Sequence, residues 1–161
     1  MGETLLFEHV KTTREITENM LKKIPESDFM DIPAGFNNNL LWNFGHIAYV
    51  QDMLVYHLIG ETMHVPDSYE TYFARGTKPK DWALAPPTID EVKMVLVEQK
   101  ERIHENLRGK LDTPLPQPFT NGTGKEFYTV GETLLFSTYH EALHMNTILR
   151  IYRSLKQTQK V

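Results

Sequence analysis

Two histidines lie four positions apart in the segment His140-Glu141-Ala142-Leu143-His144. In a helix, residues four apart lie one turn above each other on one face, so both imidazoles can reach the same metal ion. The spacing matches the HExxH pattern of zinc proteases, in which the glutamate is the general base. The segment therefore predicts a metal site, with Glu141 as a candidate catalytic residue.

A metal ion that performs chemistry needs a third protein ligand. No Asp, Glu or His follows His144, and Arg150 stands where one protease pattern has its third histidine. The third ligand must therefore come from an upstream segment. The best candidate is His46, because it interrupts an apolar helix and Gly45 beside it leaves space.

The residues around the two histidines are unusual for a core-facing helix. Small polar side chains share their spacing of three and four residues: Thr133, Ser137, His140, His144 and Thr147. They predict a wet cavity whose hydroxyl groups orient the histidines. Glu141 lies about 100° away from the ligand face. For Glu141, the sequence leaves open a general base, a partner that orients the ligands, and an ion pair with Lys or Arg on the helix surface.

Four amphipathic helices must position these side chains. The period of the apolar residues predicts helices over residues 3–23, 40–59, 88–109 and 129–156. Thr88 and Glu91 form a capping box for the third helix. His9 is expected to face inward from the first helix. The last helix is predicted to run through the apolar residues Leu135, Tyr139, Ala142, Leu143, Ile148, Leu149 and Tyr152.

Two long connections join the helices. Residues 60–87 contain Asp67-x-x-Glu70, which predicts a cap for a short helix. This connection is long enough to cross a bundle, which permits parallel neighbouring helices. Residues 110–128 hold three prolines and two glycines and lack sustained strand alternation. The expected fold is an all-α four-helix bundle, with residues 1–161 as a single domain.

Composition excludes several classes of function. The 161 residues carry a net charge of −4, which argues against a nucleic-acid partner. There are no cysteines, so thiolate metal sites and cysteine nucleophiles are excluded. No apolar run approaches the roughly 20 residues that span a bilayer, and no signal peptide is recognisable. We therefore expect a cytoplasmic protein without a membrane partner.

The histidine motifs together resemble those of the DinB-like metal-binding proteins. The resemblance rests on Gly45-His46-Ile47-Ala48, on His140-Glu141-x-x-His144 and on the stretch 73–77, and it covers essentially the whole chain. It implies an up-down-down-up bundle with a long crossover between helices two and three. It also implies nickel or zinc held by three histidines, which assigns His46, His140 and His144 as the ligands.

The resemblance also suggests an activity. Some relatives are transferases or isomerases that use low-molecular-weight thiols, and others are known only as responding to stress or DNA damage. The expected function is a metal-dependent transferase that joins such a thiol to an electrophile. The alternatives are a metal-stabilised bundle without catalysis, as a scaffold or sensor, and a hydrolase with Glu141 as base. The resemblance further implies a homodimer, for which the local motive is the aromatic group Tyr69, Tyr72, Phe73 and Trp82. The alternative for these rings is that they cover the protein's own core.

Overall fold

The computed structural model describes residues 2–158, and these residues are mostly helical. All four long helices that the sequence predicts are confirmed, and a short helix lies in the first long connection, although the Asp67 side chain does not cap it as predicted. The helices are α1 (Glu3–Leu21), α2 (Leu40–Val55), α3 (Ser68–Phe73), α4 (Ile89–Leu107) and α5 (Val130–Thr158).

The ends of the helices follow local chemistry. The capping box of α4 is confirmed: Glu91 N–H donates to the Thr88 hydroxyl, and Thr88 N–H donates to the Glu91 carboxylate at 2.6 Å. α2 ends four residues earlier than predicted, because a 3-10 turn (His57–Ile59) follows it. Gly60 closes that turn with a left-handed φ of 78°, which glycine adopts without strain.

A two-stranded hairpin corrects the all-α prediction. Strand β1 (Pro114–Thr120) pairs antiparallel with β2 (Glu126–Thr129). The sequence analysis did not predict β1, because prolines occupy positions 114, 116 and 118. The register of the hairpin shifts between Pro114 and Phe119, and prolines are tolerated at such a bulge because no N–H is needed there for the ladder. The hairpin packs its Phe119 and Phe127 rings against Phe136 of α5.

The four long helices form a ring in which α1 and α2 each contact both α4 and α5. Two apolar clusters fill its interior towards opposite ends, one around Phe44, Leu96 and Ile148 and the other around Leu54, Ile103 and Leu134. Between these clusters, each long helix contributes buried polar side chains, namely Arg14, Gln51, Gln99, Ser137 and Glu141. Within the described residues, no helix is both long and apolar enough to cross a membrane.

The exposed side of α5 carries large apolar residues. The exposed fractions of Leu135, Tyr139 and Leu143 are 41%, 59% and 50%. Ala142 is exposed as well. The buried side of α5 is partly polar, because its polar groups find partners inside the bundle. It includes Thr133, Leu134, Ser137, Thr138, Glu141, Met145 and Ile148.

The aromatic group of the first connection belongs to the protein's own core. Tyr69, Tyr72 and Phe73 of α3 are buried, and Trp82 is half-buried against them. These rings therefore cover α2, and the suggestion that they form an exposed dimer surface is wrong.

Candidate metal centre

Three histidines from two helices converge beside α3. His46 projects from α2, and His140 and His144 project from α5, so that one ligand-capable atom of each lies within 4.8 Å of those of the others. The ring centroids are 4.6 to 5.1 Å apart. A tetrahedral ion with bonds of 2.0–2.1 Å separates its ligand nitrogens by about 3.3 Å. Small ring rotations would therefore bring the three nitrogens around one ion.

All three imidazoles are held in the neutral form, which is the form that binds metal. Burial, reinforced by the neighbouring histidines, lowers the pKa of His140 from 6.5 to about 3. Burial and the nearby His46 lower the pKa of His144 to about 4. Burial also lowers the pKa of His46, although its hydrogen bond to a backbone carbonyl opposes the shift. The lone pairs of the site are consequently free at physiological pH.

The ring of His46 is fixed by the first connection on one side and by Trp42 of its own helix on the other. Its Nδ1 lies 2.6 Å from the carbonyl oxygen of Phe73. Trp42 stacks on its face at a centroid distance of 4.4 Å, and the indole N–H donates to the Thr77 hydroxyl. The Phe73 ring closes directly over Gly45, where a Cβ atom would lie 2.6 Å from the ring carbons. The absence of a side chain at Gly45 thus lets α3 deliver its carbonyl to His46.

The ring of His144 is held by a different partner. Its Nδ1 lies 2.9 Å from Oδ1 of Asn43, one turn before His46 on α2. The Asn43 side chain is itself anchored, because its Nδ2 donates to the Asn39 carbonyl at 2.8 Å. α2 therefore supplies one candidate ligand and the hydrogen-bond partner of another.

Glu141 points away from the three histidines. It is 2% exposed, and its carboxylate accepts hydrogen bonds from Arg14 and from the Thr17 hydroxyl. The ion pair that the sequence suggested for Glu141 is therefore present, although it lies in the core and not on the helix surface. Glu141 faces inward because each residue of a helix is rotated by about 100° from the residue before it, which here is His140.

The line of small polar residues does not orient the histidines as predicted. The hydroxyl groups of Thr133, Ser137 and Thr147 donate to carbonyl oxygens of their own helix. Ser137 also accepts a bond from Gln51 at 3.1 Å. His9 does not lie in the core; it is exposed, and its ring bonds to Thr138 at 3.1 Å.

Sequence reasoning missed three groups that support this site: Arg14, Asn43 and the Phe73 carbonyl. Arg14 lies on the apolar stripe of α1, between Val10 and Leu21, where a charged residue needs a buried partner. Asn43 interrupts an apolar helix just as His46 does. Both anomalies were visible in the sequence, whereas the carbonyl of Phe73 carries no side-chain signal.

The donor set fits a divalent ion of intermediate softness. Three neutral imidazoles without thiolate or carboxylate suit zinc, nickel, copper or iron. Three protein ligands leave a further coordination position for a small molecule, as in catalytic zinc sites. His46 is buried, whereas His140 and His144 are only partly buried.

A helical ring with a three-histidine cluster between α2 and α5 defines a class of candidate metal-binding bundles. The family model of the DinB superfamily matches residues 9–148, and the chain belongs to this superfamily. A solved structure, that of a conserved protein from Enterococcus faecalis, has the same fold, with a TM-score of 0.63 over 96% of this chain and 97% of that one. Its sequence is 15% identical. No curated protein matches the sequence.

Proposed function

We propose that this protein is a metal-dependent transferase that joins a low-molecular-weight thiol to an electrophile, with nickel or zinc held by His46, His140 and His144. The observation that carries the proposal is the convergence of three neutral imidazoles at a partly exposed point of the bundle. A structural metal site closes all its positions with protein groups, whereas a catalytic site keeps one open.

The bound ion would supply Lewis acidity, which favours the thiolate form of a coordinated thiol. In the overall reaction, a carbon–sulfur bond forms, the electrophile loses its leaving group, and the thiol proton passes to solvent. The chain has no cysteine, so the thiol must arrive as a cosubstrate. The residues of the chain hold the three ligand rings, and burial keeps these rings unprotonated.

Two alternatives differ in what they require. Hydrolysis needs a general base beside the attacking water, and Glu141 is the candidate. Its carboxylate instead bonds to Arg14 and Thr17 inside the bundle, which favours thiol transfer. A metal-stabilised scaffold or sensor would need no open position, and the partial exposure of His140 and His144 favours the enzyme.

The test of this function is a conjugation assay. The zinc- or nickel-loaded protein is incubated with a model electrophile and several cellular thiols, beside a His144→Ala control. We expect conjugation with at least one thiol in the wild type and its loss in the control. Equal rates in both proteins with every thiol would remove the transferase and leave the non-catalytic metal site.

We also infer the up-down-down-up order of the helices. The order is supported by side-chain contacts along two of the neighbouring pairs, α1 with α5 and α2 with α5. His9 and Arg14 of α1 meet Thr138 and Glu141 of α5 in rising order, which fits parallel helices. His144 and Ser137 meet Asn43 and Gln51 of α2 in opposite order, which fits antiparallel helices.

We further propose that the chain acts as a homodimer in the cytoplasm. The support for the dimer is the apolar stripe on α5, whose Leu135, Tyr139 and Leu143 recur at every fourth position and are exposed. Exposed contiguous apolar surface of this kind marks association sites. The absence of cysteine suits a reducing compartment but does not require it.

A further inference from the structure

The tautomer of His46 is determined by its backbone partner. A carbonyl oxygen can only accept a hydrogen bond, so Nδ1 of His46 must donate to the Phe73 carbonyl at 2.6 Å. In a neutral imidazole, the proton on Nδ1 leaves the lone pair on Nε2. Nε2 is therefore the atom that His46 offers to a metal ion.

The same reasoning applies to His144 through one further step. The amide of Asn43 has a donor end and an acceptor end, and its donor end faces the Asn39 carbonyl at 2.8 Å. A flipped amide would set two oxygens against each other. Oδ1 must therefore face His144, and Nδ1 of His144 must carry the proton that it donates across 2.9 Å.

We propose that Asn43 is the positioning residue of the metal centre: by holding the Nδ1 proton of His144, it selects the tautomer that presents Nε2 to the ion. This inference rests on the proposed metal function. His140 makes no ring hydrogen bond within the described part of the chain, so it is the ligand whose ring is free to turn. The rings of His46 and His144 are thus oriented before the ion binds, and the ring of His140 rotates when it binds.

The consequence is a measurable dependence of metal affinity on a residue that does not touch the metal. Removing such an outer partner weakens metal binding on the order of 10- to 100-fold. Asn43→Leu keeps a similar volume and removes the acceptor. The matched control is Asn106→Leu. It removes the hydrogen bond from Asn106 of α4 to the Tyr56 hydroxyl, which lies far from the three histidines.

The experiment has two readouts on the same purified proteins. The first is the ring tautomer of each histidine in metal-free protein near neutral pH, from long-range proton–nitrogen NMR on histidine-labelled samples. The second is the Zn²⁺ affinity from a competition titration. In the wild type, we expect His46 and His144 as the Nδ1–H tautomer. In Asn43→Leu, we expect His144 to shift towards Nε2–H, His46 to stay unchanged, and the Zn²⁺ affinity to fall at least tenfold.

The outcomes separate this inference from the proposed function. His144 in the Nε2–H tautomer in the wild type would overturn the role of Asn43, and this readout needs no variant to fold. Unchanged tautomer and affinity in Asn43→Leu, or an equal loss of affinity in Asn106→Leu, would also overturn it. A wild type that binds no Zn²⁺ but holds His144 as Nδ1–H would overturn the metal function and still support the hydrogen bond that Asn43 makes.

Discussion

Arg14 of α1 and Glu141 of α5 form a two-pronged ion pair inside the bundle. The guanidinium Nε and Nη2 lie 3.0 and 3.1 Å from the two carboxylate oxygens, and the residues are 1% and 2% exposed. The remaining guanidinium protons reach the Leu96 carbonyl, Gln99 and Gln51. One arginine therefore ties all four long helices together.

This ion pair fixes the rotation of α5 about its axis. Because Glu141 must face Arg14, the preceding His140 and the following His144 are turned towards α2. The glutamate of the HExxH pattern thereby serves in our account as an anchor for the ligand helix. A substitution of Glu141 should therefore lower the free energy of unfolding, and it should affect activity only through the position of α5.

The first prediction follows from that distinction. Glu141→Gln leaves the Arg14 charge buried without its counter-ion, and breaking a buried pair in this way costs about 3–5 kcal/mol. We expect a loss of about 3 kcal/mol in the free energy of unfolding, measured by urea denaturation of metal-free protein. Asp90→Asn, which breaks the exposed pair with Lys93, should change it by less than about 0.5 kcal/mol. A fully stable Glu141→Gln protein that had lost its activity would favour the general base.

The second prediction concerns the close contact between Gly45 and Phe73. A methyl group at position 45 would lie 2.6 Å from the Phe73 ring, so Gly45→Ala must displace this ring, and we expect the segment that carries it to move as well. Overpacking of this type costs about 1–3 kcal/mol. The Zn²⁺ affinity should fall as well, because the displaced segment carries the carbonyl that holds His46.

The control for this contact is Gly122→Ala, since an added Cβ at Gly122 meets nothing within 4 Å. It should leave both the free energy of unfolding and the Zn²⁺ affinity unchanged. If Gly45→Ala behaves like this control, α3 does not depend on the missing side chain to reach His46.

The sequence was sufficient for the helices and for the histidine cluster. Helix periodicity and caps are local signals, and the Thr88–Glu91 box depends only on residues three apart. The spacing of His140 and His144 fixes their common face without knowledge of the rest of the fold. The hairpin was missed because Pro114, Pro116 and Pro118 suggest a loop unless the bulge in the strand is known.

The orientation of α5 could not be read from hydrophobicity. Leu135, Tyr139 and Leu143 suggest an inner face, but the opposite side is buried because Ser137 and Glu141 have polar partners on other helices. Those partners are distant in sequence, so only the folded chain reveals that a polar side of the helix is satisfied in the core.

The third prediction concerns the acid stability of the metal-free protein. His140 and His144 have pKa values of about 3 and 4 when folded, below the ordinary 6.5 of the unfolded chain. The unfolded state therefore takes up protons first as the pH falls below 6.5. The free energy of unfolding should decrease by about 1.4 kcal/mol per pH unit for each of these histidines, until the pH reaches the folded values.

The comparison that isolates this effect uses urea denaturation at several pH values between 7 and 4. The double variant His140→Gln/His144→Gln should have a shallower pH dependence than the wild type. His57→Gln, at an exposed position, should keep the wild-type slope. Parallel curves for all three proteins would contradict the burial of the two α5 histidines as neutral groups.

The fourth prediction concerns the apolar stripe on α5. If two copies associate through it, Leu143→Glu should convert a dimer into a monomer, because it buries a charge in the interface. Leu84→Glu changes a leucine that is 76% exposed in a connection and should leave the dimer intact. Sedimentation velocity at micromolar concentration distinguishes the two states. A monomeric wild type would refute the homodimer.

The metal content of the purified protein decides whether the three histidines hold an ion. Elemental analysis should find about one divalent ion per chain in the wild type, and the control His57→Ala, at an exposed position beyond the end of α2, should retain it. His46→Ala, His140→Ala and His144→Ala should each lose most of the metal, because each supplies one of three converging nitrogens. Full metal content in His46→Ala would contradict the three-histidine centre, as would a wild type that takes up no nickel or zinc.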